Sequence, residues 1–216
     1  MFKDRKDAGK RLAKALTKYK NGNTIILAIP RGGVEVGFEV AKHLGVNFNL
    51  LISRKLPLPY NPESGFGAIS EDGSTFIFKE ADMWLSAGEI ERIKAEQSEE
   101  IKSRIQNLRG GEPLPDISDK KVVLVDDGLA MGSTIRASIM YCKNQEAFKI
   151  IVAVPVAGTR VVKEISKLVD DIVVLEQPTD FRAVAQVYEN WHDVSDEEVL
   201  NILKEWKSHF KKNETI

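Results

Sequence analysis

A single cysteine, Cys142, leaves the chain unable to close an internal disulfide, and three scattered histidines, His43, His192 and His209, show no metal-ligand spacing. Neither a disulfide framework nor a structural zinc site is expected. Lysine and arginine number 31 against 32 acidic residues, a net charge of −1, so no global field draws nucleic acid or an anionic membrane. Long hydrophobic runs are missing too: the longest lie near residues 25–29 and 150–156, far short of a membrane span. The opening residues, Met-Phe-Lys-Asp-Arg-Lys-Asp-Ala, are charged where a signal peptide needs an apolar stretch. There is no Walker lysine, no Gly-x-Gly-x-x-Gly fingerprint and no persuasive Ser-His-Asp or Cys-His set. The expectation is a cytoplasmic protein without nucleic-acid or membrane partners, in which any anion site is local.

What is present fits one decorated α/β domain over 1–216, with 43% hydrophobic and 29% charged residues. Ala8, Leu12, Ala15, Leu16 and Tyr19 give residues 4–20 the apolar face of a helix. Strand-like runs at 24–29, 48–53, 121–126, 149–154 and 172–175 then alternate with helical patterns at 34–44, 134–144 and 160–168. Near-continuous apolar strands separated by helices predict a doubly wound, mainly parallel sheet covered on both faces. Two stretches break the rhythm. Residues 55–86, with Pro57, Pro59, Pro62, Gly65, Gly67 and Gly73, read as a long flexible loop holding a small hairpin at 66–70 and 75–78. The capping box Ser86-Ala-Gly-Glu89 then opens a helix that runs to Gly110-Gly111. Residues 177–194 form an aromatic-rich segment before a last helix, which starts at a second capping box, Ser195-Asp-Glu-Glu198.

The chemistry concentrates in residues 122–134, Val-Val-Leu-Val-Asp-Asp-Gly-Leu-Ala-Met-Gly-Ser-Thr. A buried-strand pattern ends on two carboxylates, Asp126 and Asp127, and turns through Gly128, Leu129, Ala130, Met131, Gly132 and Ser133 into a helix near Thr134. Amides at a helix start have no intrahelical partner, and small residues let them approach an anion. Paired carboxylates at the carboxyl edge of a parallel sheet can accept hydrogen bonds from vicinal hydroxyls. Either feature alone is ordinary in a β-α turn; together they point to a phosphorylated sugar.

The segment resembles the signature of type I phosphoribosyltransferases, in which four apolar residues precede two acidic ones and a short Thr-Gly-x-Thr-type loop. That resemblance implies that residues 130–134 hold the 5-phosphate of phosphoribosyl pyrophosphate, while Asp126 and Asp127 bind its ribose hydroxyls. Met131 stands where the family commonly has threonine. Pro30-Arg-Gly-Gly-Val34 forms another glycine-rich β-α turn, weak as a signal by itself, and its likeness to the family's pyrophosphate turn assigns that role to Arg31, Gly32 and Gly33. Ser53-Arg-Lys55, otherwise a solvated basic pair at the end of the second strand, is likewise implied to meet pyrophosphate through Arg54 and Lys55. The 55–86 loop corresponds to the family's mobile flap, although its composition also suits plain disorder. The 177–194 segment corresponds to the hood over the base. Phe181 is the candidate stacking ring there, with Tyr188 and Trp191 read as the core of a small cap.

The implied reaction displaces pyrophosphate from C1 of the sugar by a ring nitrogen of a nucleobase-like acceptor. Mg²⁺ would lie on the pyrophosphate and ribose oxygens, with Asp126 or Asp127 as its protein contact. Asp126, Asp127, Arg31 and Lys55 are the residues assigned to catalysis, and no protein nucleophile is needed. Family members that salvage 6-oxopurines carry an aspartate where this chain has Ala130, which argues against hypoxanthine and guanine. A homodimer is expected only because related enzymes commonly pair. Two alternatives remain: a non-catalytic regulatory protein that binds nucleotide or phosphoribosyl pyrophosphate, and a receiver-like phosphoryl-transfer domain, which places its acidic pair earlier in the chain.

Overall fold

The computed structural model describes residues 1–20 and 23–213. In chain order the elements are α1 (Arg5–Ala15), β1 (Thr24–Ala28), α2 (Gly32–Leu44), β2 (Asn47–Leu50), β3 (Ser53–Leu58), β4 (Asn61–Ser70), β5 (Thr75–Ile77) and α3 (Ala87–Arg109). They continue with β6 (Lys121–Val125), α4 (Ser133–Asn144), β7 (Lys149–Val156), α5 (Thr159–Ile165), β8 (Asp171–Glu176) and α6 (Asp196–Asn213).

Five strands form a parallel sheet in the order β2-β1-β6-β7-β8. Successive side chains of a strand point to opposite faces, so each apolar run divides between two cores. Ile26, Ala28, Val123, Val125, Ile151 and Ala153 pack with Leu12, Val36, Val40 and Trp206 on one face. Ile25, Leu27, Val122, Leu124, Ile150 and Val152 pack with Ile135, Ile139, Val161 and Ile165 on the other. The doubly wound reading of the sequence therefore holds, and among the described residues no helix is long and apolar enough to cross a membrane.

The order reverses between β1 and β6. From β1 the chain crosses through α2 to β2 on one side, while β6 leads through α4 to β7 on the other. Diverging connections leave a crevice at the carboxyl ends of those two strands, where ligands of open α/β sheets bind. Ile29 N–H donates to the Val125 carbonyl at 2.9 Å, so the two strand ends stay side by side to their last residues.

The hairpin expected at 66–70 and 75–78 is present as β4 and β5, but the residues before it, 55–58 and 61–65, are strand where a loop was expected. Residues 53–77 form a three-stranded antiparallel sheet in the order β3-β4-β5. Pro57 sits where the β3–β4 register shifts, on an edge strand, the place where a missing amide costs no ladder bond. Proline content thus signalled an irregular edge, not a loop. Arg54 and Lys55 accordingly lie on β3 and not at the end of β2, which stops at Leu50. The small sheet rests on α4 through a buried contact of Ser53 Oγ with Ser138 Oγ, 2.9 Å, and Leu56 and Phe66 are fully buried beneath it.

An ion pair fixes the break between β2 and β3. Arg109, at the end of α3, donates to the Leu50 carbonyl at 3.1 Å and to Glu71 Oε1 at 2.9 Å, while Glu71 Oε2 accepts the Ile52 amide at 3.0 Å. The two side chains are 5% and 8% exposed. Removing one partner strands the other charge in the interior. Glu71→Ala is expected to cost roughly 3–5 kcal/mol of unfolding free energy in urea titration, and a change under about 1 kcal/mol would contradict this account.

Candidate functional site

The loop after β6 is shaped from below. Leu129 is drawn inward, 2% exposed, because its amide donates to the Val156 carbonyl at 2.9 Å and its carbonyl accepts the Gly158 amide at 3.3 Å. Gly128 fits beneath only because it lacks a side chain: a Cβ there would lie 2.7 Å from Val156 and Val184. With Leu129 anchored, Ala130 and Met131 turn outward, and Gly132, at φ 70°, starts α4 in a left-handed conformation. The first amides of α4 then have no preceding carbonyl to pair with. They face a cleft of about 280 Å³ lined by residues 128–134 together with Lys55, Glu63, Gly65 and Val184. Lys55 Nζ donates to the Glu63 carbonyl at 2.6 Å, which holds the ammonium at the cleft wall. A larger cavity, about 410 Å³, lies between the ends of α3 and α6 near Leu108 and Trp206, away from both glycine turns. Its lining includes Arg109, Lys204 and Lys207 but neither of the glycine turns nor the start of α4.

The two carboxylates are unequal. Asp127 Oδ2 accepts from Arg5 Nε at 2.8 Å, and Tyr188 Oη donates to the Asp127 carbonyl at 2.7 Å. Arg5 is buried, donates also to the His192 carbonyl at 2.9 Å, and lies 3.9 Å from the centre of the Trp191 ring. Asp126 Oδ1 accepts the Asp127 amide at 2.9 Å and, among the described residues, meets no cation within bonding distance. Burial, and then the neighbouring Asp127 charge, push Asp126 well above the ordinary carboxylate range. Burial raises Asp127 as well, but Arg5 draws it back.

The β1–α2 turn presses onto this pair. The Pro30–Arg31 peptide is cis. A Cβ on Gly32 would fall 1.8 Å from Asp127 Oδ2, and one on Gly33 would fall 2.8 Å from the Val125 carbonyl oxygen. Both positions require glycine because the two turns touch. Arg31 leaves the turn outward, 39% exposed, with Nη1 3.5 Å from Asp196 Oδ1. Arg54 Nε donates to Gln97 Oε1 on α3 at 3.1 Å. Phe181 is half-buried beside Gly158, past the end of β7. The fold thus gathers Lys55 and residues 128–134 around one cleft, puts Gly32 and Gly33 against the acidic pair, and leaves Arg31, Arg54 and Phe181 outside the cleft's lining.

Arg5 was not singled out in the sequence, although a signal was there: it shares its helix face with Ala8 and Leu12, three and seven positions on, and so puts a cation among buried residues. Tyr188 and Trp191, read as a cap core, are also the wall that closes over that cation. Arg5→Met is expected to lower unfolding free energy by about 3 kcal/mol or more, and adding Asp127→Asn to recover part of the loss. Additive losses in a urea double-mutant cycle would show that the pair is not coupled.

Comparison with known proteins places this geometry. The model of the phosphoribosyl transferase domain family matches residues 2–190. A provisionally named phosphoribosyl transferase of Mycobacterium tuberculosis strain CDC 1551 is 36% identical over 205 residues, which is 94% of this chain and 46% of that protein. Its counterpart in strain H37Rv matches equally. The chain therefore spans about half the length of these curated relatives. The crystal structure of TT1426 from Thermus thermophilus superposes with a TM-score of 0.80 at 35% identity, covering 95% of this chain and 99% of that one. With a family match over most of its length and its acidic pair and glycine turns meeting at the switch point of the sheet, the chain belongs to the type I phosphoribosyltransferase family.

Proposed function

We propose that this protein transfers the ribose 5-phosphate group of phosphoribosyl pyrophosphate to a nitrogenous base with release of pyrophosphate. One observation carries the reading: unpaired amides at the start of α4 face a cleft that Lys55 borders, directly behind an acidic pair at the sheet's switch point. A phosphate monoester suits the amides of residues 130–134 together with the Ser133 and Thr134 hydroxyls. Asp126, which forms no ion pair among the described residues, is the carboxylate available to the ribose hydroxyls, and Asp127 holds the turn around Gly32 in register through Arg5.

In the reaction a base nitrogen forms its bond to C1 as the C1–oxygen bond to pyrophosphate breaks, and both bonding electrons leave with the pyrophosphate. Charge thus builds on the ribose ring as a cation and on the leaving group as an anion. Arg31, Arg54 and Lys55 are the groups this chain offers the anion, while the acidic pair faces the ring. Carboxylate oxygens suit Mg²⁺, and Asp126 is the donor that would hold it, with ligand oxygens completing the shell. When bound, Mg²⁺ would neutralise the leaving pyrophosphate. Ala130 supplies no carboxylate to the base, so an acceptor other than a 6-oxopurine is favoured.

Calorimetry with phosphoribosyl pyrophosphate and Mg²⁺ is expected to give a dissociation constant in the range usual for substrates, about 1 μM to 1 mM. Thr134→Ala is expected to weaken it about tenfold, the worth of one charge-assisted hydrogen bond. Absence of binding by folded wild-type protein would sink the proposal. A panel of bases assayed for released pyrophosphate then identifies the acceptor; binding without turnover on any base would favour the regulatory reading.

A further inference from the structure

Methionine is ordinarily among the more buried residue types, yet all four in this chain stand at the surface. Met1 is 66%, Met83 78%, Met131 57% and Met140 39% exposed, and none enters a hydrophobic core. The single thiol is placed the other way. Cys142, on α4, is fully buried among apolar side chains, and that burial pushes its thiol well above the ordinary range, so it presents no thiolate. An oxidant arriving from solvent therefore meets thioethers.

One of the four lies in the loop that opens α4. Met131 directly precedes Gly132, whose left-handed backbone starts the helix, and stands two residues before Ser133, the first helical residue. It lines the cleft of about 280 Å³ and also a neighbouring cavity of about 300 Å³ whose walls include Phe78, Trp84 and Val161. Ala130, Met131 and Gly65 are the wall common to both, so solvent reaches position 131 from two sides. Met83 and Met140 line neither cavity.

A thioether suits this place. Its sulfur is a weak acceptor and leaves the unpaired amides of the helix start to a ligand. A sulfoxide is polar, and its oxygen is a strong acceptor. That oxygen stands one bond further from Cα than Asn Oδ1, the atom that takes the amide two residues on in an Asx turn. From position 131 that amide belongs to Ser133, so the reach is set by covalent geometry along the chain.

We infer that Met131 is an oxidation site that controls anion binding: a peroxide converts it to the sulfoxide, whose oxygen then competes with a ligand's phosphate for the amides at the start of α4. The inference rests on the phosphate reading of this loop and adds its regulation. In the step, the sulfur lone pair attacks one peroxide oxygen, an S–O bond forms as the O–O bond breaks, and the departing hydroxide takes the remaining proton to leave as water. Sulfur is oxidised by two electrons and the peroxide is reduced by two. Reduction by a sulfoxide reductase with a dithiol reverses the change, which makes the loop a switch.

The test treats the intact chain with hydrogen peroxide, follows each methionine by peptide mass spectrometry, and titrates ribose 5-phosphate by calorimetry before and after. Met131 is expected to gain one oxygen, and ribose 5-phosphate to bind about tenfold more weakly, the worth of one hydrogen bond to a charged group. The urea midpoint should stay where it was, because no methionine supports a core. Reductases for both sulfoxide epimers should restore the affinity. In Met131→Leu, treated and untreated protein should bind alike whatever the untreated affinity, while a Met83→Leu/Met140→Leu double variant should keep the full loss. The inference is overturned if Met131 resists oxidation, if the oxidised protein binds as before or loses binding only by unfolding, if reduction restores nothing, or if Met131→Leu is equally sensitive. Untreated protein that binds neither ribose 5-phosphate nor phosphoribosyl pyrophosphate removes the phosphate reading and the inference with it; binding that oxidation leaves unaltered removes the inference alone.

Discussion

The ion pair between Arg5 and Asp127 ties together every part of the site. It joins the first turn of α1 to the end of β6, in a setting where Arg5 is 4% and Asp127 14% exposed. A carboxylate in such surroundings, next to a second carboxylate, would be driven to take up a proton; the guanidinium offsets much of that cost. The same arginine binds the His192 carbonyl and stacks on Trp191, so the segment after β8 is held to the acidic loop by the charge that makes the loop tolerable. Gly32 closes the arrangement from above, since any side chain there would strike Asp127. Loss of this pair therefore acts on two turns and the cap at once.

Dividing the acidic pair in this way gives its members different work. Asp127 is spent on structure: its carboxylate goes to Arg5, and its carbonyl to Tyr188. Among the described residues Asp126 forms no ion pair, and burial together with the neighbouring Asp127 charge raises its proton affinity. Two adjacent residues of identical chemistry thus differ because the strand end directs one toward the N-terminal helix and the other away from it. Cations follow a similar pattern. Lys55 borders the cleft with the amide loop, whereas Arg31 and Arg54 lie outside its lining, Arg31 beside Asp196 and Arg54 bonded to Gln97.

Much of the fold was legible because the central strands are buried on both faces. Their runs, such as residues 121–125, are apolar almost without interruption, and such runs between helical periodicities leave little besides a parallel sheet. The capping boxes at Ser86 and Ser195 put helix starts within a residue of where they occur. The hairpin of β4 and β5 was legible, but residues 55–65 were read as loop because the same residues, proline and glycine, mark both loops and edge strands. Pro57 is tolerated at an edge with a register shift, and no local pattern distinguishes that from a turn.

The sequence by itself determined the acidic-pair loop, the glycine turns and the helix starts, since each depends on contacts or conformations within a few residues. Only the tertiary structure decided which carboxylate is bound to Arg5, that Arg54 and Lys55 belong to a second sheet, and that Asp196 stands beside Arg31. These facts join residues that lie far apart along the chain. Their pairing follows from strand order and helix placement, which local periodicity does not encode, because the free energy that selects it comes from burying both faces of the whole sheet at once.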